Sequence, residues 1–191
     1  SYFCAPRHVR GPRSLSLSFN YDPAAERIGL SRHRSAEWRS ATSIDAMIKA
    51  ESRPGASSAY ADCLEAIHAR LAAREAKLYG IAVLIVYVHQ LDRLFASAGQ
   101  VNTGRMLDEL RNRISQVTRP GDYFARLGDR KFVFVLSNLR NEGHALLAAN
   151  KILRAGAEPV MAGGHHGNLR LSVGIAMYPG HARTPEALMQ S

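Results

Sequence analysis

The side chains best suited to chemistry fall in one short stretch. Arg119 and Asp122 stand just ahead of the run Gly128-Asp129-Arg130-Lys131-Phe132. An arginine fork grips a phosphate in a bidentate manner, and a carboxylate accepts from N–H donors. Such a pair could hold a nucleotide without a metal. Pro120-Gly121-Asp122 is equally a good turn before a strand, so both readings stand. Arg130 and Lys131 place two cations at a turn, fit for an anion, an acidic partner or plain solvation. His165 and His166 sit in a run of glycines. Adjacent histidines seldom share one ion without further ligands, so a surface loop is expected. Cys4 and Cys63 fall in no metal-ligand spacing and are too few for a disulfide framework. No metal or other cofactor is expected.

The secondary structure around these groups reads clearly from Ser58 onward. Ser57 or Ser58 can cap a helix whose apolar face is Tyr60, Leu64, Ile67, Leu71 and Leu78, ending at Gly80. Ile81 to Val88 is a continuous apolar run, the mark of a strand buried on both faces. A second helix is predicted from about Thr103 to Val117, burying Met106, Leu107, Leu110, Ile114 and Val117. Asp122 to Leu127 and Lys131 to Leu136 flank the Gly128-Asp129-Arg130 turn as a hairpin. A third helix, capped near Asn141, turns Leu146, Leu147, Ala149, Ile152 and Leu153 inward. A Gly-rich loop over 163–167 leads to a strand from Leu169 to Met177, and Thr184-Pro185-Glu186 starts a last helix. The order is that of an α/β sandwich with a central mixed, partly antiparallel sheet flanked by helices.

Residues 1–57 read differently, being rich in Ser, Arg and Pro with little periodicity. They are expected to be a linker or the edge of an upstream region. One amphipathic patch, Trp38 to Ala50, is expected to pack as a helix on the domain that begins at Ser58. The chain opens on Ser and stops within the first turns of its last helix, as a fragment would.

The 191 residues carry 25 Lys+Arg against 16 Asp+Glu, a net +9, and 21 of the cations are Arg. The excess is spread along the chain rather than gathered in a tail. With 46% hydrophobic and 21% charged residues, the composition excludes wholesale disorder and collagen-like repeats. No apolar run is long enough to cross a bilayer, and no signal peptide opens the chain. A cytoplasmic protein is expected.

Three stretches resemble the GGDEF domain family, the bacterial diguanylate cyclases. Arg119-Pro-Gly-Asp122-Tyr-Phe-Ala-Arg126-Leu-Gly-Asp-Arg-Lys-Phe132 is similar to R-x-x-D-x-x-x-R-x-G-G-D-E-F. Leu171 to Pro179 is similar to the S-x-G-I-A-x-x-P strand, and Val83 to Leu107 matches in hydrophobicity and spacing. The resemblance covers most of 58–191 and implies the family's sandwich fold, cut short at its final helix. It also implies a reaction, the condensation of two GTP molecules to cyclic di-GMP across a dimer. That chemistry needs a divalent metal on hard carboxylate oxygens. The family draws these from an Asp ending the first strand and an acid of the turn.

Position by position, the expected ligands are replaced. Tyr87 and His89 stand where D-x-D should be. Phe95 and Gly104 stand at the guanine-binding Asn and Asp. In the turn Gly128 is kept, Asp129 replaces the second Gly, and Arg130 and Lys131 replace the two acids. Two cations at short range repel a divalent ion. The resemblance assigns Arg126 a structural role beside the turn, and Arg119 and Asp122 the R-x-x-D product site.

The expected function is therefore a catalytically inactive GGDEF domain, a regulatory module in cyclic di-GMP signalling that binds the dinucleotide through Arg119 and Asp122. Two alternatives stay open. One is a dimerisation or protein-interaction domain without a nucleotide. The other is a GTP-binding activator of a neighbouring EAL phosphodiesterase domain, which the resemblance places downstream. No recognition helix or stacking strand points to nucleic acid.

Overall fold

A computed structural model describes residues 17–22, 27–32, 56–73, 80–180 and 184–190. The strands are β1 (Leu17–Asp22), β2 (Arg27–Arg32), β3 (Gly80–His89), β4 (Tyr123–Leu127), β5 (Lys131–Leu139), β6 (Val160–Ala162), β7 (His165–Gly167) and β8 (Arg170–Tyr178). The helices are α1 (Ala56–Ala72), α2 (Leu91–Ser115), α3 (Glu142–Ala157) and α4 (Pro185–Gln190). Six strands form one sheet in the order β2-β1-β8-β3-β5-β4, and β6 pairs with β7 apart from it.

The apolar run of β3 is continuous because β3 lies mid-sheet with helices on both faces. Successive side chains on a strand point to opposite faces. Leu84, Val86 and Val88 thus join Met106, Leu110 and Ile114 of α2 and Ile152 and Leu153 of α3 in one cluster. Ile81 and Val83 join Cys63 and Ile67 of α1 and Leu188 and Met189 of α4 in the other. No helix among the described residues is long and apolar enough to cross a membrane.

The α/β sandwich stands as expected, with several corrections of detail. Every described pairing in the large sheet is antiparallel, where a mixed sheet was expected. The reason lies in the connection after α2, which carries β4 to the sheet edge and lets its hairpin partner β5 pair with β3. Helix α1 begins at Ala56, so Ser57 and Ser58 lie inside its first turn, and it ends at Ala72; Gly80 opens β3 instead. Leu78 lies outside the described residues, as do Cys4 and the Trp38–Ala50 patch. Helix α2 starts at Leu91 and kinks at Gly99 (φ 76°, ψ 170°), well before Thr103. On α3, Leu146 and Leu147 are exposed while Ala145 and Ala149 face inward. The run of glycines is a β6–β7 hairpin turning at Gly163 and Gly164, both at positive φ. Part of the N-terminal stretch read as irregular forms β1 and β2, and β1 pairs with β8. Thr184 caps α4 as expected, its Oγ1 accepting from Ala187 N–H at 3.2 Å.

Candidate functional site

The β4–β5 hairpin carries a candidate site at each end. At the turn, Gly128 takes a positive φ of 69° that an L side chain would resist. Arg126 braces the turn. Its Nε donates to the Gly128 carbonyl at 2.8 Å, and its other nitrogens lie 3.4 Å from Asp129 Oδ1 and 3.7 Å from Asp108 Oδ1 on α2. The guanidinium also sits 6.0 Å from the centre of the Phe132 ring. Asp129 is thus paired beside the turn.

Arg130 faces the other way. Its carbonyl accepts from Val88 N–H at 2.8 Å, tying the turn to β3, and its guanidinium donates to Asp92 in the first turn of α2. Partial burial weakens the Arg130 charge, but the Asp92 carboxylate and the nearby Tyr87 hydroxyl outweigh it and hold the guanidinium above its ordinary value. Lys131 is only 7% exposed. It pairs in register with Tyr87, and its Nζ lies 5.9 Å from that ring's centre.

Register continues this polar row across the sheet. Ser172 pairs with Tyr87 on the far side, and Arg170 pairs with His89. The Tyr87 and His89 rings meet edge to face at 4.9 Å. His89 Nε2 lies 2.5 Å from Ser172 Oγ. Burial pushes the His89 ring below its ordinary value, and the Arg170 charge pushes it the same way, favouring the neutral imidazole. The structure therefore gathers Tyr87, His89, Arg130 and Lys131 at one strand end. It adds Asp92, Arg170 and Ser172, which sequence reasoning does not single out. Asp92 carries a legible signal, being an acid in the first turn of a helix; reading it requires the true start of α2.

Phe95 and Gly104 lie on α2. Phe95 is half-buried and packs against the larger core cluster. Gly104 is half-buried, with nothing within 4 Å of where a Cβ would sit. No group of three or more His, Cys, Asp or Glu among the described residues could hold a metal ion. His165 and His166 are exposed on β7.

At the other end of the hairpin the Asp122 carboxylate accepts two backbone hydrogen bonds, from Arg119 N–H at 2.9 Å and Ser137 N–H at 3.1 Å. Gly121 sits between them at φ 93°, its carbonyl accepting from Ser137 Oγ at 3.0 Å and Arg70 at 2.7 Å. The turn is thus fixed from both sides. Among the described residues no hydrogen bond or ion pair holds the exposed Arg119 guanidinium. It borders a groove lined by the apolar Val117, Leu139, Leu147 and Ala148 together with His144 and Lys151 of α3. His144, Leu147, Ala148 and Lys151 recur at helical spacing on one face of α3. That stripe is present in the sequence, where periodicity alone assigns Leu147 to the core.

These features have counterparts among known proteins. The family model described as "Diguanylate cyclase, GGDEF domain" matches residues 63–191. Diguanylate cyclase TpbB of Pseudomonas aeruginosa is 35% identical over 99 residues, 51% of this chain and 22% of the relative. The bifunctional diguanylate cyclase/cyclic di-GMP phosphodiesterase MucR of the same organism is 33% identical over 84 residues, 44% of this chain and 12% of the relative. The chain thus spans less than a quarter of the length of these curated relatives. Among solved structures, a truncated TpbB from Pseudomonas aeruginosa comprising only the GGDEF domain superposes with a TM-score of 0.60 at 29% identity, covering 65% of this chain and 74% of that one. An EAL/GGDEF domain protein from M. capsulatus gives 0.56 at 30% identity, covering 65% and 80%. With two thirds of its length matched by the family model and its sandwich shared with these structures, the chain belongs to the GGDEF domain family.

Proposed function

We propose that this chain is a GGDEF domain that does not make cyclic di-GMP and instead works as a cytoplasmic regulatory module of a cyclic di-GMP protein. The observation that carries this reading is the strand end itself. Where the reaction needs carboxylates for a divalent ion, the chain offers Tyr87, His89 and a cationic turn of Arg130 and Lys131. A hard divalent ion takes oxygen ligands and gains nothing from a guanidinium or an ammonium. The residues present do not fit the metal, and no catalytic step runs through it. Phe95 contributes packing where a guanine reader would need a polar edge.

The module takes its ligand at the opposite end of the hairpin. Arg119 is the arm that grips phosphate or the guanine edge, while Asp122 shapes the turn that presents it. The apolar lining of Leu139, Leu147 and Ala148 suits a base, and His144 and Lys151 suit its phosphates. A relative that joins both activities, MucR, and the M. capsulatus protein with EAL and GGDEF domains support a phosphodiesterase domain as the regulated neighbour. Residues 58–191 form the body of the module, and β1 and β2 of the preceding stretch extend its sheet.

Calorimetric titration with cyclic di-GMP tests the proposal. Binding that Arg119→Ala abolishes is the expected result, together with no cyclic di-GMP from GTP and Mg²⁺. Turnover of GTP overturns the inactive reading. No heat from the dinucleotide overturns the ligand reading and leaves a docking or dimerisation module.

A further inference from the structure

We infer that the Arg130 guanidinium is an internal cation, joining the β4–β5 turn to the first turn of α2 in place of the divalent ion that the family resemblance implies. The strand end is then a rebuilt, metal-independent joint rather than a site that has merely lost its ligands. This goes beyond the regulatory reading and does not depend on it.

The geometry has three parts. The root of the side chain is fixed, because the Arg130 carbonyl accepts from Val88 N–H at 2.8 Å. The head of the side chain donates to Asp92, the acid in the first turn of α2. The row beside it is already cationic, since the neighbouring Lys131 is buried against Tyr87. The resemblance implies acids on the turn and at the end of β3, with a mobile cation between them. Here the signs are exchanged: the turn supplies the cation and the helix supplies the acid. A metal entering would have to displace a tethered guanidinium from Asp92 and then sit beside an ammonium, with one carboxylate to hold it.

The same exchange of signs defines a latent site. The Asp92 side chain is 79% exposed, so an ion from solvent can reach it once the guanidinium is gone. An acid at position 130 would then face Asp92 across the joint and supply the second carboxylate.

Thermal unfolding of the whole chain, with and without millimolar Mn²⁺ or Mg²⁺, tests this. Wild type is expected to melt at the same temperature with either ion as without. Arg130→Glu is expected to melt lower in chelator and to rise by several degrees with metal, a rise lost when Asp92→Asn is added. Mn²⁺ is likewise expected to broaden the amide resonances of 88–92 in Arg130→Glu and to spare them in wild type. A wild-type protein that metal stabilises, with Asp92→Asn removing the effect, overturns the inference. So does an Arg130→Glu protein that folds yet ignores metal. If Arg130→Glu does not fold, the pair Arg130→Gln and Asp92→Asn decides. Losses that fail to add in the double variant support the joint, and additive losses overturn it. None of these readouts involves Arg119 or the dinucleotide, so this inference and the ligand reading fail separately.

Discussion

Asp122 holds Ser137 across the mouth of the β4–β5 hairpin, its Oδ1 accepting the Ser137 backbone N–H at 3.1 Å. Its other oxygen accepts from Arg119 N–H, so the carboxylate braces the turn before β4 against β5. Removing it leaves two donors without their anionic acceptor, and hydrogen bonds to charged groups contribute about 1.5–3 kcal/mol each. Solvent at this half-exposed turn returns part of that. Asp122→Ala is therefore expected to cost about 2 kcal/mol in chemical denaturation and to weaken dinucleotide binding by misplacing Arg119. Arg119→Ala is expected to change stability by less than about 0.5 kcal/mol, as surface substitutions do, while abolishing binding. Equal stability losses for the two variants would contradict this division of labour.

How far the sequence announces this arrangement depends on the kind of signal. The β4–β5 hairpin is legible because alternation and the Gly128-Asp129 turn agree on it. The double burial of β3 is legible because only a central strand is apolar at every position. The start of α2 is not, although Leu91, Leu94, Phe95 and Ala98 recur at helical spacing; Gly99 and the polar residues between them mask the pattern. At the site, the residue types show which ligands are replaced, but not what replaces them. Asp92 meets Arg130 and Ser172 meets His89 only through the tertiary fold, at separations of 38 and 83 residues. Sheet register and the placement of α2 against the turn bring such pairs together, and no local pattern encodes them.

His89 is expected to make the fold acid-sensitive. Its folded value lies below the ordinary 6.5, through burial and the Arg170 charge. The unfolded chain therefore binds the proton more readily, and stability falls as pH drops through about 6.5 and stops falling below the folded value. At neutral pH and above this group contributes no slope. His89→Gln keeps a polar partner for Ser172 and removes the titration. Its midpoint in urea, followed from pH 7.5 to 5, is expected to fall less steeply than that of wild type. Parallel slopes would show that other groups set the acid limb.

Cys63 is expected to be silent to thiol reagents until the protein unfolds. It is fully buried in the α1–α4 layer, 3.8 Å from Met189 Sδ, and burial pushes its thiol up to about 12. The thiolate is the nucleophile, so at pH 8 almost none is present and none is reachable. In a Cys4→Ser background, labelling by an aromatic disulfide reagent should follow the global unfolding rate. The linked effect on stability appears on the alkaline side, where the unfolded thiol ionises from about pH 9 and stability falls as pH rises further. Fast labelling of the native protein at pH 8 would mean that α1 opens independently of the sheet.

Two helical glycines should respond to alanine with opposite signs. A Cβ at Gly156 on α3 would lie 2.0 Å from Leu171 Cδ1 and 2.9 Å from its Cγ. Leu171 is 5% exposed on β8 and has no solvent to swing into. Overpacking of this kind costs about 1–3 kcal/mol, which exceeds the gain of about 1 kcal/mol from replacing glycine within a helix. Gly104 on α2 has nothing within 4 Å of an added Cβ. There only the helix propensity acts, and Gly104→Ala is expected to stabilise by about 0.5–1 kcal/mol. Urea titrations of the two variants check the pair. Stabilisation by Gly156→Ala would mean that α3 can lift from β8 at little cost, and the close approach of helix to sheet at that point would then not be a requirement of the fold.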